Sequence, residues 1–165
     1  MDLLVQARRQ VLGLTMADVE LRRAQEDDFS EVMSLERKSF PLDAYPDEVL
    51  RRRMIEYPQG FLVALQDGKI VGYIAAWVVS RKARIDSMAI DEQYRRRGIG
   101  SLMLDTVLDH FKRNGHKTVE LKVRPTNTGA IKLYATFGFQ VVGVEPRYYQ
   151  SDGSDAFLMS TESKD

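Results

Sequence analysis

The sequence predicts a single α/β domain built on one mixed β-sheet with helices packed on both of its faces. Short alternating runs and amphipathic helical runs follow one another in the order βααβββαβαββ. No repeat, low-complexity segment or internal linker divides the chain. Strands and helices in this order pack a sheet between helical layers. With 165 residues, the chain is long enough for one domain with a sizeable core.

The composition narrows the functional classes. The net charge is zero, which does not favour a nucleic-acid partner. The chain has no cysteine, which excludes disulfides, thiolate nucleophiles and thiolate metal ligands and fits a cytoplasmic protein. The longest apolar run, residues 74–79, is too short to cross a bilayer, so we expect no membrane partner. His110 and His116 lack the spacing of metal ligands, so we expect no metal site.

The chain begins with a segment that we assign to an extension. Within residues 1–17, apolar side chains recur on one helical face, and Gly13 weakens the end of that pattern. Arg8 and Arg9 interrupt this weak apolar stretch, which therefore does not resemble a signal peptide. The segment predicts either a short docking helix or a partly ordered tail. The domain follows as residues 18–165.

One strand and two helices open the domain. Residues 19–24 alternate in polarity as a strand does, and the acidic residues 26–28 suit a helix start. An apolar stripe at helical spacing then runs to Phe40, and Pro41 ends this first helix. Residues 47–57 read as a second, arginine-rich helix.

Glu36 lies in the middle of the apolar face of the first helix. At 100° per residue its side chain falls between those of Val32 and Met33. A carboxylate in such a place is either buried and paired with a nearby arginine or lines a cavity. The sequence leaves both interpretations open.

Three neighbouring strands follow the two helices. Residues 60–65 and 70–79 flank Asp67 and Gly68 and predict a β-hairpin, and residues 83–90 form the next strand. An arginine-loaded turn with two glycines comes directly after that strand. It consists of Arg95, Arg96, Arg97, Gly98, Ile99 and Gly100, and Ser101 opens the next amphipathic helix.

This turn has the features of an anion-binding site. Glycine lets the backbone approach a ligand closely, and free amides at a helix N-terminus attract negative charge. The three arginine side chains suit phosphate oxygens. The turn therefore predicts a diphosphate site.

The C-terminal part adds one strand, one helix and a pair of closing strands. Residues 118–123 alternate strictly, and residues 139–144 and 156–159 read as the closing pair. Between them lies a helix capped at Thr126 or Asn127. Asn127 and Tyr134 are two helical turns apart, so both lie on the same face.

These motifs resemble those of the GNAT acetyltransferase superfamily, from residue 19 to residue 161. The core signature Arg/Gln-x-x-Gly-x-Gly/Ala matches residues 95–100. The second motif matches Asn127, Tyr134, Gly138 and Phe139. Three further stretches resemble the N-terminal protein acetyltransferases, both the bacterial RimI type and the archaeal and eukaryotic NatA catalytic subunits. These stretches are ERKSFP, VRPTNTGAIKLY and RYYQSDGSDAFLM.

The resemblance implies a GNAT fold in which the parallel strands 83–90 and 118–123 splay apart. The pantetheine arm of acetyl-CoA would lie in the split and hydrogen-bond to Met88, Ala89 and Ile90. Its diphosphate would sit on the amides of residues 96–101. Tyr134 would donate a proton to the leaving thiolate, or only pack against Phe137 and Phe139. Asn127 would contact the cofactor, or only cap its helix.

The acceptor side follows from the same resemblance. Two loops would close over the groove and contact the substrate, together with Asp86 on the strand 83–90. Their contact residues would be Phe40, Leu42 and Tyr45 in the first loop, and Tyr148 and Tyr149 in the second. Strand alternation predicts that one of the last two rings lies in the core.

The general base is left open among three carboxylates. Lys122 stands where RimI-like relatives hold Glu and some eukaryotic relatives hold His, and a lysine is cationic at neutral pH. The remaining candidates are Glu36, Glu120 and Asp86, and Glu36 is our choice among them.

The pKa of the acceptor decides how strong a base the site needs. An α-amine with a pKa of about 7.7 to 8.0 is roughly a tenth neutral at pH 7, whereas a lysine is neutral only about 0.04% of the time. A site without an evident strong base therefore fits an α-amine better than a lysine.

The predicted function is therefore N-terminal α-amino acetylation with acetyl-CoA as the donor. A protein lysine or a small amine is the alternative acceptor. The predicted partners are protein or peptide N-termini, and ribosome association or an auxiliary subunit is left open. A non-catalytic CoA-binding module is disfavoured because Asn127 and Tyr134 are both present. An RNA-binding domain is disfavoured because no aromatic residues are interleaved with the arginines.

Overall fold

A computed structural model describes residues 19–161 of the chain, and the predicted extension at 1–17 lies outside the described residues. The strands are β1 (Glu20–Arg23), β2 (Phe61–Gln66), β3 (Lys69–Val79), β4 (Lys82–Ile90), β5 (Val119–Val123), β6 (Phe139–Tyr149) and β7 (Ser154–Thr161). The helices are α1 (Phe29–Ser39), α2 (Asp47–Glu56), α3 (Ile99–Arg113) and α4 (Thr128–Thr136). Their order along the chain is the predicted one.

The seven strands form one mixed sheet in the order β1-β2-β3-β4-β5-β7-β6. Helices cover both faces, as predicted. Successive residues of β2 alternate between two apolar clusters, because a pleated strand sends neighbouring side chains to opposite faces. Leu62 belongs to the cluster with α3 and α4, whereas Val63 belongs to the cluster with α1 and α2. Within residues 19–161, no helix is long and apolar enough to cross a membrane.

The parallel strands β4 and β5 separate after a short stretch of pairing. Ala83, Arg84 and Ile85 pair with residues 119–121, and from Asp86 onward β4 pairs only with β3. This separation confirms the predicted splay. It leaves one edge of β4 without a strand neighbour where the pantetheine arm is expected.

A β-bulge at Asp86 changes the direction of the side chains along β4. In the ladder with β3, Ala76 pairs with Ile85 and Ala75 with Ser87, so Asp86 has no partner of its own. Ile85 therefore packs in the α3 cluster, whereas Ala89, an even number of residues later, packs in the α1 cluster. Without the bulge, both residues would face the same side of the sheet.

Several predicted boundaries differ from the structure, and three of them bear on the candidate site. The helix α3 begins at Ile99 rather than at Ser101, because Gly98 adopts a left-handed φ of 83° and serves as its N-cap. The strand β6 continues to Tyr149 rather than ending at residue 144, and β7 begins at Ser154. Both tyrosines of the second loop therefore belong to β6.

We expect the core to depend on the packing of α3 against the sheet. Phe111 is fully buried, so Phe111→Ala should lower the free energy of unfolding by about 3–5 kcal/mol. The control Ile55→Ala removes a side chain that is 69% exposed and should change it by less than about 0.5 kcal/mol. Urea unfolding followed by circular dichroism measures both. Equal effects would contradict the assignment of this core.

Candidate active site

A cavity of about 610 Å³ lies where β4 and β5 separate. The two strands form its floor, and its sides come from the loop after α1, the end of β6 and the start of α4. The predicted site residues in its wall are Glu36, Phe40, Leu42, Tyr45, Asp86, Met88, Asn127, Tyr134, Tyr148 and Tyr149. The predicted catalytic and substrate-contacting residues thus share one cavity with part of the predicted cofactor set.

The rest of the predicted cofactor set lies outside the cavity wall. Ala89 and Ile90 continue β4, and residues 95–101 form the turn and the start of α3. Arg95 Nε donates a hydrogen bond to the Ile90 carbonyl at 3.0 Å, which ties the turn to the end of β4. The guanidinium of Arg97 lies 5.1 Å from the centroid of the Tyr94 ring.

The two glycines of this turn have different physical roles. Gly98 has a φ of 83°, which disfavours a side chain. Gly100 instead sits at a tight contact, since a Cβ there would lie 3.0 Å from Ile90 Cδ1 and 3.1 Å from Leu133 Cδ2. Gly100 therefore permits the close approach of α3 to β4 and α4, whereas Gly98 supplies the left-handed backbone conformation of the turn.

Glu36 is fully buried and also belongs to the cavity wall. Its Oε1 accepts hydrogen bonds at 2.6 Å from both Tyr73 Oη and Ser87 Oγ. Its Oε2 accepts one from the Tyr45 backbone amide at 3.3 Å. Within residues 19–161 the carboxylate has no arginine partner, so of the two interpretations the arginine pairing is wrong and the position at a cavity holds. Neutral donors replace water around it and fix the first loop to the sheet.

Tyr134 is at once a core residue and part of the cavity wall. Its ring lies 5.7 Å from that of Phe139, and only 7% of the residue is exposed. Burial, with a smaller effect from Tyr149, raises the pKa of Tyr134 to about 12. The phenol therefore keeps its proton at neutral pH. Packing and a catalytic role are compatible at this position.

Asn127 caps its helix, which is one of its two predicted interpretations. Its side-chain oxygen accepts a hydrogen bond from the Ala130 amide at 3.3 Å, which makes it the N-cap of α4. The residue also borders the cavity. Its contact with a cofactor stays a prediction.

Two charged groups on the cavity floor, Lys122 and Asp86, are each paired with an oppositely charged side chain. Lys122 Nζ lies 2.7 Å from Glu145 Oε2, and 4.5 Å from the centroid of the Tyr148 ring. Asp86 Oδ2 lies 2.7 Å from Arg53 Nε, and both of these side chains are largely buried. One oxygen of the Asp86 carboxylate is therefore occupied by Arg53 and is not free for a substrate.

The third carboxylate proposed as a base has a different neighbour. Glu120 is half-buried in the wall and lies beside Arg84 across the parallel ladder of β4 and β5. Side chains directly opposite on neighbouring strands are close enough to interact.

Tyrosines from both loops line the acceptor side. Burial, followed by the charge of Asp86 and the proximity of Tyr148, raises the pKa of Tyr45. The rings of Tyr148 and Tyr149 are edge to face with centroids 5.0 Å apart, and both residues are half-buried. The prediction that one of them is in the core is wrong, because a register shift between Glu145 and Tyr149 breaks the strand alternation.

Sequence reasoning missed several residues of the site. Tyr73 and Ser87 hold Glu36, and Arg53 holds Asp86. The hydroxyl of Ser87 within an apolar strand is a signal that could have been used. Asp43, Arg124 and Ser151 also line the cavity, and no local pattern connects residues so far apart in the chain. In the described part of the chain, no group of three or more His, Asp or Glu residues could hold a metal ion.

Comparison with known proteins agrees with this geometry. The model of the acetyltransferase (GNAT) family matches residues 21–139. An N-alpha-acetyltransferase of Saccharolobus solfataricus is 34% identical over 156 residues, covering 87% of this chain and 92% of that protein. The chain belongs to the GNAT acetyltransferase family, which confirms the predicted family, fold and enzyme class.

Two solved structures show the same architecture. Ard1 from Thermoplasma volcanium superposes with a TM-score of 0.82 at 30% identity, covering 90% of this chain and 99% of that one. Arabidopsis thaliana Naa50, in complex with the bisubstrate analogue CoA-Ac-MVNAL, gives a TM-score of 0.81 at 25% identity and covers 88% and 99%.

The glycine turn yields a prediction with a matched control. Gly98→Ala should destabilise the protein by about 1–2 kcal/mol through left-handed strain, and Gly115→Ala should do the same because its φ is 81°. Only Gly98→Ala should also raise KM for acetyl-CoA, since only that turn holds the proposed diphosphate. Gly100→Val should raise this KM and lower Tm together. Steady-state kinetics and thermal unfolding separate the two effects, and equal KM values for all variants would contradict the site.

Proposed function

We propose that the protein transfers the acetyl group of acetyl-CoA to the α-amino group of protein or peptide N-termini. The observation that carries this proposal is the single cavity that joins the split between β4 and β5 to two tyrosine-bearing loops. The split suits a donor that enters between the strands, and the loops suit an extended peptide that enters from the other side. The bisubstrate analogue bound by Naa50 likewise joins CoA to a peptide, MVNAL.

The residues present fit the donor. Beyond Ile85 one edge of β4 has no partner strand, which leaves room for an extended amide-containing arm alongside Met88, Ala89 and Ile90. The first amides of α3 lack intrahelical acceptors, and Gly98 opens the backbone in front of them. We assign the diphosphate to these amides and to Arg95, Arg96 and Arg97. When bound, acetyl-CoA supplies the acetyl group as a thioester.

Tyr134 is the proposed proton donor. Its raised pKa of about 12 keeps the hydroxyl protonated at neutral pH, and the residue belongs to the cavity wall. We assign Asn127 to the same cofactor face, where its cap fixes the start of α4. The proposed peptide contacts come from the two loops. They are Phe40, Leu42, Tyr45, Tyr148 and Tyr149. The tyrosines suit this role because each combines an apolar ring with a hydroxyl that binds backbone groups.

The charges in the wall favour an α-amine over a lysine. Lys122 and Asp86 are each engaged by an oppositely charged side chain, so neither is placed to act as a strong base. Glu36, whose described partners are all neutral, is our proposed proton acceptor. An α-amine demands less of it, because its pKa is about 2.5 units below that of a lysine, a difference of roughly 3.4 kcal/mol.

Acetylation of defined peptides tests this function directly. One set carries a free α-amine and no lysine, and the other carries a blocked N-terminus and one lysine. Mass spectrometry should find the acetyl group on the first set. Transfer to the lysine set alone would overturn the proposal.

Binding of the donor is tested separately. Acetyl-CoA alone should raise Tm, because a ligand at 100 times its Kd stabilises the folded state by about 2.7 kcal/mol.

The roles of Tyr134 and Glu36 are separable by kinetics. Tyr134→Phe should lower kcat by about 10²- to 10⁴-fold, the usual contribution of a general acid. The carboxylate variants should each lower kcat by less than about a hundredfold, because part of the α-amine is already neutral. These variants are Glu36→Gln, Glu120→Gln and Asp86→Asn.

The pH dependence provides the matching check. The rate should rise with pH along the titration of the α-amine. It should not fall again below about pH 10, since a donor with a pKa of about 12 stays protonated there. A carboxylate variant that binds both substrates but has no turnover would identify that residue as an essential base.

A further inference from the structure

Three side chains from two separate segments meet at the guanidinium of Arg124 beside the cavity. Arg124, directly after β5, donates from Nε to Asp43 Oδ2 at 2.7 Å and from Nη1 to Asp152 Oδ2 at 3.0 Å. Its Nη2 donates to Ser151 Oγ at 3.2 Å. Ser151 Oγ in turn donates to Asp43 Oδ1 at 2.7 Å. We call Asp43, Arg124, Ser151 and Asp152 the clamp.

The clamp is part of the acceptor side of the cavity. Asp43, Arg124 and Ser151 belong to its wall, and the side chains of Arg124 and Asp43 are only 22% and 18% exposed. The guanidinium also lies 4.1 Å from the centroid of the Tyr149 ring. Arg124 therefore touches both a loop partner and one of the proposed peptide contacts.

The clamp joins the two loops that carry those contacts. Asp43 lies in the loop with Phe40, Leu42 and Tyr45, and Ser151 follows the tyrosine pair at the end of β6. The hydrogen bond between Ser151 and Asp43 connects residues 108 positions apart in the chain. A planar guanidinium presents its donors in fixed directions, so it sets the geometry of both loops, which a lysine ammonium does not.

The clamp is charged throughout the neutral pH range. Hydrogen bonding to Arg124 lowers the pKa of Asp43 and lowers that of Asp152 to about 2. A carboxyl group with a lowered pKa contributes stability that is lost only as the pH falls through that value. The clamp consequently takes no part in proton transfer near pH 7.

We propose that Arg124 is a positioning residue for the acceptor. It holds the first loop against the end of β6 and thereby sets the spacing between Tyr45 and the Tyr148–Tyr149 pair. Its loss should weaken binding of the peptide and leave binding of acetyl-CoA unchanged. The identity of the acceptor rests on the proposed function, whereas the clamp itself rests on geometry.

Kinetics on the full chain test the proposal. Arg124→Gln should raise KM for a peptide acceptor at least about tenfold, equivalent to about 1.4 kcal/mol, with KM for acetyl-CoA within about twofold. The pH profile of kcat/KM between pH 6 and 9 should keep its shape. Arg124→Lys should fall between Arg124→Gln and the parent. Asp43→Asn should have a larger effect than Asp152→Asn, because the Asp152 side chain is more exposed, at 44%.

The matched control is Arg37→Gln. Arg37 pairs with the exposed Asp47, so this variant also removes an arginine–aspartate pair near the first loop but leaves the clamp intact. Its peptide KM should stay within about twofold of the parent. A peptide KM that is unchanged in Arg124→Gln, or a joint rise of both KM values, or a shifted pH profile would overturn the proposal.

A second measurement does not depend on activity. The chain has no cysteine, so Leu42→Cys provides a unique site for a nitroxide label in the first loop. Adding Arg124→Gln should narrow the electron paramagnetic resonance lines, because the loop loses its connection to β6. An unchanged spectrum would overturn the proposal. If the parent acetylates no peptide but the spectra differ, the proposed function fails and the clamp stands.

Discussion

The separation of β4 from β5 is the constraint on which the rest of the site depends. The strands pair over three residues each and then part, so the sheet has an opening in its middle rather than at its edge. Such an opening would expose unsatisfied backbone groups to the core unless a ligand or water filled it. The start of α4 and the two loops border this opening, and the turn at Gly98 follows the end of β4. The proposed binding site therefore lies where the hydrogen-bond ladder between β4 and β5 is interrupted.

The bulge at Asp86 connects that opening to the acceptor side. It turns Ser87 toward α1, where its hydroxyl meets Glu36. Glu36 in turn accepts a hydrogen bond from the backbone of Tyr45 and so anchors the first loop. A buried carboxylate is costly unless donors surround it, and here two hydroxyls and one amide do so. The acidic residue on an apolar helix face thus links the sheet, α1 and the loop.

The arrangement of charge around the cavity favours recognition by neutral groups. Arg53 holds Asp86, Glu145 holds Lys122, and two aspartates hold Arg124. These paired side chains stabilise the cavity wall, and their polar atoms are less free to form hydrogen bonds with a ligand. Tyrosine hydroxyls in the wall can bind the backbone of a peptide, the class of acceptor that we propose.

The sequence alone determined the order of the elements, the helices on both faces and the family, because periodicity and the motifs around Gly98 and Asn127 are local properties of the chain. It also singled out Glu36, since a polar residue within an apolar stripe is visible in one dimension. The tertiary structure decided which groups meet: Tyr73 and Ser87 at Glu36, Arg53 at Asp86, and Asp43 at Arg124, 81 residues away. The tertiary structure also decided the burial of Tyr148 and Tyr149, because a register shift in β6 breaks the strand alternation from which we predicted that one of them lies in the core. Contacts between distant residues depend on strand order, bulges and loop closure, and no local pattern in a single sequence encodes these.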